Sequence, residues 1–213
     1  MKGMLITFEG GEGAGKTTHA ELFKNYLNDR GLSFFATREP GGTDFSEAVR
    51  ALTKDIRYQD KSPVAELMLF ESARADIVAK RIIPALQEGK IVLMDRFYDS
   101  TTVYQSFGRG LNRKEVEAMN TIASQGLVPD LTIYLRVSQE EAFSRKGGVD
   151  PKDAIERSGY DFHERIRKGF DIIAKENKHR FLVVDASQPI KQVFDQIIAT
   201  FEKKYNQKLK KEK

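Results

Sequence analysis

Gly10-Gly11-Glu12-Gly13-Ala14-Gly15-Lys16-Thr17 is the stretch on which the reading of this chain turns. It matches the G-x-x-x-x-G-K-[ST] pattern of a phosphate-cradling loop. Immediately before it, Met4 to Phe8 is a short apolar run with the character of a buried strand. Immediately after it, Lys16 to Arg30 carries Leu22, Phe23, Tyr26 and Leu27 on one helical stripe, and Gly31 closes the helix. Strand, glycine loop and helix stand in the order that phosphate binding requires. The glycines let successive backbone N–H groups point at phosphate oxygens, and the helix N-terminus adds its dipole. Lys16 can then reach the β- and γ-phosphates, and the Thr17 hydroxyl suits Mg²⁺. With Thr18, residues Gly10, Gly11, Glu12, Gly13, Ala14, Gly15, Lys16 and Thr17 form the candidate nucleotide-binding set.

Outward from the loop, strands alternate with helices. Leu32 to Thr37, Ile91 to Asp95, Leu131 to Val137 and Phe181 to Asp185 read as further strands. Pro63 to Glu88 reads as a long helix whose last turn Pro84 kinks. Val116, Met119, Ile122 and Ala123 mark another helical face, and Val193, Phe194, Ile197, Ile198 and Phe201 the last. Parallel crossovers need helices, so the pattern predicts an α/β protein of the P-loop NTPase fold: a parallel five-stranded sheet flanked by helices on both faces. Lys146 to Ser158, polar and glycine-containing, reads as a mobile lid. The expected organisation is a single domain over residues 1–205 with its lid at about 146–158, and a basic, flexible tail over 206–213.

Of the 213 residues 40% are hydrophobic and 31% charged, which fits an ordinary globular protein and leaves no apolar run long enough for a membrane span. The N-terminus reaches Glu9 too soon for a secretory signal, so a cytoplasmic location is expected. The absence of cysteine removes disulfides and thiolate metal sites, and His19, His163 and His179 lack ligand spacing. The net charge of +4 equals that of residues 202–213 alone, where six lysines face two glutamates. The basicity is therefore a polar tail and argues for neither a nucleic-acid nor a membrane partner.

Asp95 ends the apolar strand Ile91-Val92-Leu93-Met94 and Arg96 follows it. An Asp-Arg pair at the carboxyl end of a strand lies at the ligand crevice of an open α/β sheet, and Asp95 is placed with Thr17 at the candidate Mg²⁺ site. Glu12 puts a carboxylate inside an anion-binding loop, so it has to face away from the phosphates, toward a sugar hydroxyl, a cation or solvent. Phe70 and Arg74, four residues apart, share one helix face, where a ring beside a guanidinium suits a base near a phosphate.

Phe8-Glu9-Gly10 through Thr18, the stretch Thr37 to Thr43, Asp95-Arg96-Phe97 with Ser100, Tyr104-Gln105, and Gly126 to Leu135 together resemble the bacterial thymidylate kinases, in order and spacing, from about residue 4 to the last strand. The resemblance implies transfer of a phosphoryl group from ATP, with Mg²⁺, to thymidine monophosphate (dTMP), and a homodimer. It implies that Phe70 stacks on the thymine, that Arg74 meets the base edge or the nearby phosphate, and that Thr101 and Gln105 lie along the base. Tyr104 would pack beneath the deoxyribose, and Arg38, Arg50 and Arg96 would surround the acceptor phosphate. Glu12 would approach the 3′-hydroxyl region, and Glu39 and Pro40 would shape the same loop. Lys16, Arg96, Glu12 and Arg145 form the candidate catalytic set. The family's lid pattern places an arginine where this chain has Ala154, which leaves the lid cation to Arg145, Lys146 or Arg157. Deoxynucleoside kinases share the Phe-Glu-Gly type of loop, but the Arg38-Glu39-Pro40-Gly41-Gly42 segment favours an acceptor that already carries phosphate. A guanine-nucleotide switch would need Asn-Lys-x-Asp, and Asn177-Lys178 is followed by His179-Arg180.

Overall fold

The computed structural model describes residues 3–146 and 159–211. Its five strands, β1 (Met4–Glu9), β2 (Phe34–Arg38), β3 (Ile91–Asp95), β4 (Leu131–Arg136) and β5 (Phe181–Asp185), form one sheet in the order β2-β3-β1-β4-β5. Every neighbouring pair is parallel. β1 is central and buried at all six positions because helices cover both faces, which is why it reads as a continuous apolar run rather than an alternation.

One face packs Met4, Ile6 and Phe8 of β1 with Phe23 and Leu27 of α1 (Lys16–Asp29) and Val193, Ile197 and Phe201 of α9 (Ile190–Lys211). On the other face Leu5, Val92 and Met94 meet Ile77, Val78 and Ile82 at the end of the long helix. Beside them Tyr134 of β4 packs with Phe162, Ile166 and Phe170 of α8 (Tyr160–Glu176).

The long helix expected over Pro63 to Glu88 is divided. α3 (Pro63–Ile77) passes through a π-helical turn, Val78–Ile82, into α4 (Ile83–Gln87). Pro84 sits in the first turn of α4, where its missing N–H and its ring would otherwise disturb the bond to residue 80; the wider turn absorbs the disturbance. Periodicity left α2 (Asp44–Lys54), α5 (Tyr98–Thr101) with its π-helical continuation Thr102–Gly108, α7 (Gln139–Lys146) and α8 unassigned. On α6 (Arg113–Ala123) the expected apolar stripe is corrected at Ile122, which is 76% exposed, whereas Val116 and Ala123 are buried.

The basic end of the chain also differs from a flexible tail. α9 continues to Lys211, and Lys208 Nζ donates to the Gly3 carbonyl at 2.7 Å and to both Asp130 oxygens at 2.9 Å, so the helix is tied to the bottom of the sheet. The segment read as a lid, residues 147–158 with Ala154 and Arg157, lies outside the described residues, as does the side chain of Lys146. Among the described residues no helix is long and apolar enough to cross a membrane.

Register places the functional chain segments. Arg38 of β2 pairs with Asp95 of β3, which pairs with Phe8 of β1. The carboxyl ends of these strands therefore open on one edge, at the point where the chain leaves β1 for one side of the sheet and returns to the other.

Candidate active site

The loop after β1 takes its shape from backbone that only glycine adopts easily. Gly10, Gly13 and Gly15 have φ of +142°, +73° and +89°. A Cβ on Gly13 would stand 2.3 Å from the Ala142 carbonyl oxygen, so side chains are excluded there by both strain and contact. Lys16 turns back over the loop, its Nζ donating to the carbonyls of Gly10 at 3.1 Å and Gly11 at 2.8 Å. Burial, with Arg96 nearby, pulls its ammonium down to about 8, against Glu12, Asp95 and Glu9. The Thr17 hydroxyl donates to Asp95 Oδ2 at 3.2 Å.

Glu12 answers its own puzzle by pairing with Arg96, whose Nη2 donates to Glu12 Oε1. Nη1 of the same guanidinium donates to the Gly10 carbonyl and to Ser100 Oγ, both at 3.1 Å. The guanidinium also lies over the Tyr104 ring, 5.1 Å from its centroid. Arg96 itself has φ +69°, a left-handed conformation that costs a non-glycine residue energy unless its surroundings impose it. Glu9 does so from beneath. It is fully buried, its Oε1 accepts the Phe97 N–H at 2.8 Å, and its Oε2 accepts Ser100 Oγ at 2.6 Å. Burial, with Asp99 close by, pushes the Glu9 carboxyl up to about 8 in spite of these donors and Arg96.

After β2 the chain turns through a cis Glu39–Pro40 bond. Arg38 is held by Glu47 of α2 at 3.0 and 3.1 Å, and Glu47 Oε1 also accepts the Gly42 N–H at 2.9 Å. Arg50 Nη1 donates to the Pro40 carbonyl at 3.1 Å. Arg74 is 2% exposed and gives its N–H groups to protein acceptors: Nε and Nη2 to Glu39 Oε2, Nη1 to Glu71 Oε2 and Asn120 Oδ1, and Nη2 also to Thr101 Oγ1. That accounts for all five donors, so the direct base or phosphate contact expected of Arg74 would require one of these bonds to be exchanged. Burial pushes Glu39 up to about 7 against the pull of Arg74.

These groups line one cleft of about 900 Å³. It is walled by Glu12, Gly13, Gly15, Lys16, Thr17 and Thr18 at one end and by Arg38, Glu39, Pro40, Arg50, Phe70 and Arg74 at the other. Asp95, Arg96, Thr101, Tyr104 and Gln105 form its floor and side, and Arg145 also reaches it. Gly10, Gly11 and Ala14 do not line it; the first two contribute the carbonyls that hold Lys16. Arg145 Nη2 donates to the Ala186 carbonyl at 2.8 Å and to Glu141. Ala186 to Ile190, the turn after β5, is wall that motif reading missed. Parallel topology was the available signal, because the carboxyl end of β5 must face the same edge. Among the described residues no three His, Cys, Asp or Glu side chains cluster as metal ligands. A hydroxyl and a carboxylate 3.2 Å apart beside a phosphate loop nonetheless fit Mg²⁺, which keeps waters and takes few protein ligands.

The thymidylate kinase family profile matches residues 8–197. A thymidylate kinase of Thermoanaerobacter sp. (strain X514) is 43% identical over 203 residues, 95% of this chain and 99% of that protein. One from Dehalococcoides mccartyi (strain ATCC BAA-2100 / JCM 16839 / KCTC 5957 / BAV1) is 44% identical over 194 residues, 91% and 93% of the two chains. The crystal structure of thymidylate kinase from Ehrlichia chaffeensis superposes with a TM-score of 0.78 at 33% identity, covering 95% of this chain and all of that one.

Proposed function

Because this chain belongs to the thymidylate kinase family, we propose that it phosphorylates dTMP to the diphosphate in dTTP synthesis, using the γ-phosphoryl group of ATP. The observation that carries this reading is the shared cleft: the phosphate loop with Lys16 at one end, Arg38, Arg50 and Phe70 at the other, and Arg96 between. Two anions must be brought together, so positive charge and alignment do most of the work. The loop N–H groups and Lys16 hold the donor phosphates. Arg38, Arg50 and Arg96 hold the acceptor phosphate, as guanidinium forks match phosphate oxygens.

Arg96 ties the phosphate loop to the segment after β3, since its Nη1 touches the Gly10 carbonyl and Ser100 Oγ and its Nη2 touches Glu12. Phe70 offers a face to the thymine, and Tyr104 packs under the sugar. Glu12, pinned by Arg96, faces the 3′-hydroxyl side. Glu39 and Pro40 set the loop that carries Arg38, and Glu39 also anchors Arg74. Thr17 and Asp95 hold Mg²⁺, which when bound neutralises charge on the donor phosphates. Arg145, fastened to the β5–α9 turn, borders the donor end.

A homodimer and a cytoplasmic location belong to the same proposal. Phe45, Leu52, Val64 and Met68 of α2 and α3 are 44–52% exposed, a set of apolar side chains on two packed helices that a second copy would cover.

The test is ADP release from Mg·ATP with thymidine, dTMP, dUMP, AMP, CMP and GMP as acceptors. Strong turnover with dTMP, with or without weaker use of dUMP, supports the reading. Turnover with thymidine but not dTMP would make it a deoxynucleoside kinase.

A further inference from the structure

Glu66 lies beneath the far end of the cleft, four residues before Phe70 on α3, and has no part in the mechanism described so far. It is 4% exposed, and its two oxygens are fully engaged. Oε1 accepts Gln105 Nε2 at 2.9 Å and Arg109 Nε at 3.1 Å, and Oε2 accepts Arg109 Nη2 at 3.2 Å. A carboxylate braced across both oxygens by a guanidinium is an acceptor only. The side of the Gln105 amide that faces it must therefore be the NH₂ group. Gln105 is 1% exposed and lines the cleft, so with its NH₂ held against Glu66 its Oε1 is turned away from the carboxylate and is the acceptor it offers. Thr101 lines the same wall. Its Oγ1 accepts Arg74 Nη2 at 2.7 Å, which leaves its hydroxyl proton to donate.

We infer that Glu66 is a specificity-determining positioning residue: it locks the Gln105 amide with its oxygen toward the acceptor base, so that the site selects a pyrimidine bearing N3–H over one bearing an unprotonated N3. The inference rests on the proposed dTMP kinase function. In thymine, N3–H lies beside the C4 carbonyl, matching an acceptor at Gln105 and a donor at Thr101. In cytosine the pattern is reversed, with a lone pair at N3 beside an amino group. An unconstrained glutamine could rotate its amide by 180° and serve either base. Glu66 removes the second orientation, because the rotated amide would set its oxygen against a carboxylate. A site built to pair with a substrate N–H rejects the analogue that lacks it far more strongly than an apolar pocket rejects a change of size.

The test compares dTMP with 5-methyl-deoxycytidine monophosphate, which keeps the methyl group and changes only the hydrogen-bonding edge. In Glu66→Gln the new amide can donate to Gln105 Oε1, so the kcat/KM ratio between the two acceptors should fall at least about tenfold. The KM for dTMP should rise while the KM for ATP stays. The double variant Glu66→Gln with Gln105→Glu reverses the donor and acceptor across the pair and restores an acceptor toward the base; it should recover the thymine preference. An equal loss for both acceptors in Glu66→Gln, or no recovery in the double variant, would mean that Glu66 acts only as scaffold and overturns the inference. Should the variants not fold, the wild-type protein decides: 5-methyl-deoxycytidine monophosphate should be used at least about tenfold less well than dTMP in kcat/KM, and comparable use of the two overturns the inference. Absence of any wild-type turnover with dTMP would instead refute the proposed function.

Discussion

Arg96 Nη1 donates to the carbonyl oxygen of Gly10 at 3.1 Å, so the arginine assigned to the acceptor phosphate is bonded directly to the first residue of the donor-phosphate loop. Through Nη2 the same guanidinium holds Glu12. The phosphate loop and the start of the helix after β3 are thus set relative to each other by one side chain, which also bonds Ser100 and is itself held in a left-handed conformation by Glu9 through Phe97 and Ser100. Alignment of two phosphates is a matter of tenths of an ångström, which is a physical reason to place a rigid planar fork there.

Arg96→Lys should keep a positive charge and lose the fork. We expect kcat to fall about 10²–10³-fold, the usual loss for one preorganised charge-stabilising donor. Steady-state kinetics with dTMP and Mg·ATP would show it. A change confined to KM would place Arg96 in ground-state binding instead.

Phe70 sits half-buried in the cleft wall. Stacking of a base on an aromatic face contributes about 1–3 kcal/mol, so Phe70→Ala should raise the KM for dTMP about 5–150-fold with little effect on the KM for ATP. An unchanged acceptor KM would remove Phe70 from the base pocket.

Glu39 carries a pH dependence of stability. Its carboxyl is pushed by burial up to about 7 in the fold, from an ordinary value of 4.5. The folded protein holds this proton more tightly than the unfolded chain, so the contribution is fully present below about pH 4.5 and is lost as pH rises through about 7. The loss is on the order of 3 kcal/mol, at about 1.4 kcal/mol per pH unit. Glu39→Gln should therefore flatten the decline of thermal stability between about pH 4.5 and 7. Melting curves of wild type and variant that stay parallel across this range would assign the dependence to other groups, Glu9 first among them.

Arg180 and Asp99 form a buried pair behind the segment that follows β3. Nη1 and Nη2 of Arg180 donate to the two Asp99 oxygens at 2.6 and 2.8 Å, and Nη1 also donates to Thr132 at 2.7 Å. Arg180→Ala leaves the carboxylate of Asp99 buried without its cation, and should destabilise the fold by about 3–5 kcal/mol. Urea denaturation measures it. A loss under about 1 kcal/mol would mean that water reaches Asp99 once the arginine is gone.

What was legible in the sequence was whatever depends on local spacing. The glycines of residues 10–15, the apolar run of β1 and the helix after it sit within a few residues of one another, so their geometry is written in their order. The same holds for Asp95 and Arg96 at the end of β3, and the resemblance carried Phe70, Tyr104 and Gln105 into the cleft wall where the structure also has them. The sequence by itself therefore determined the α/β class, the phosphate loop and the set of residues around it.

Only the tertiary structure decided how these side chains are spent. That Glu12 is bound to Arg96, that Arg74 gives every N–H to Glu39, Glu71, Asn120 and Thr101, and that Glu66 turns the Gln105 amide are contacts across 3 to 84 residues of chain. The turn Ala186 to Ile190 joins the cleft only because β5 runs parallel to β1 and ends on the same edge. Hydrogen-bond partnership depends on angles and tenths of an ångström between elements brought together by sheet register and helix packing, and no local spacing rule encodes those.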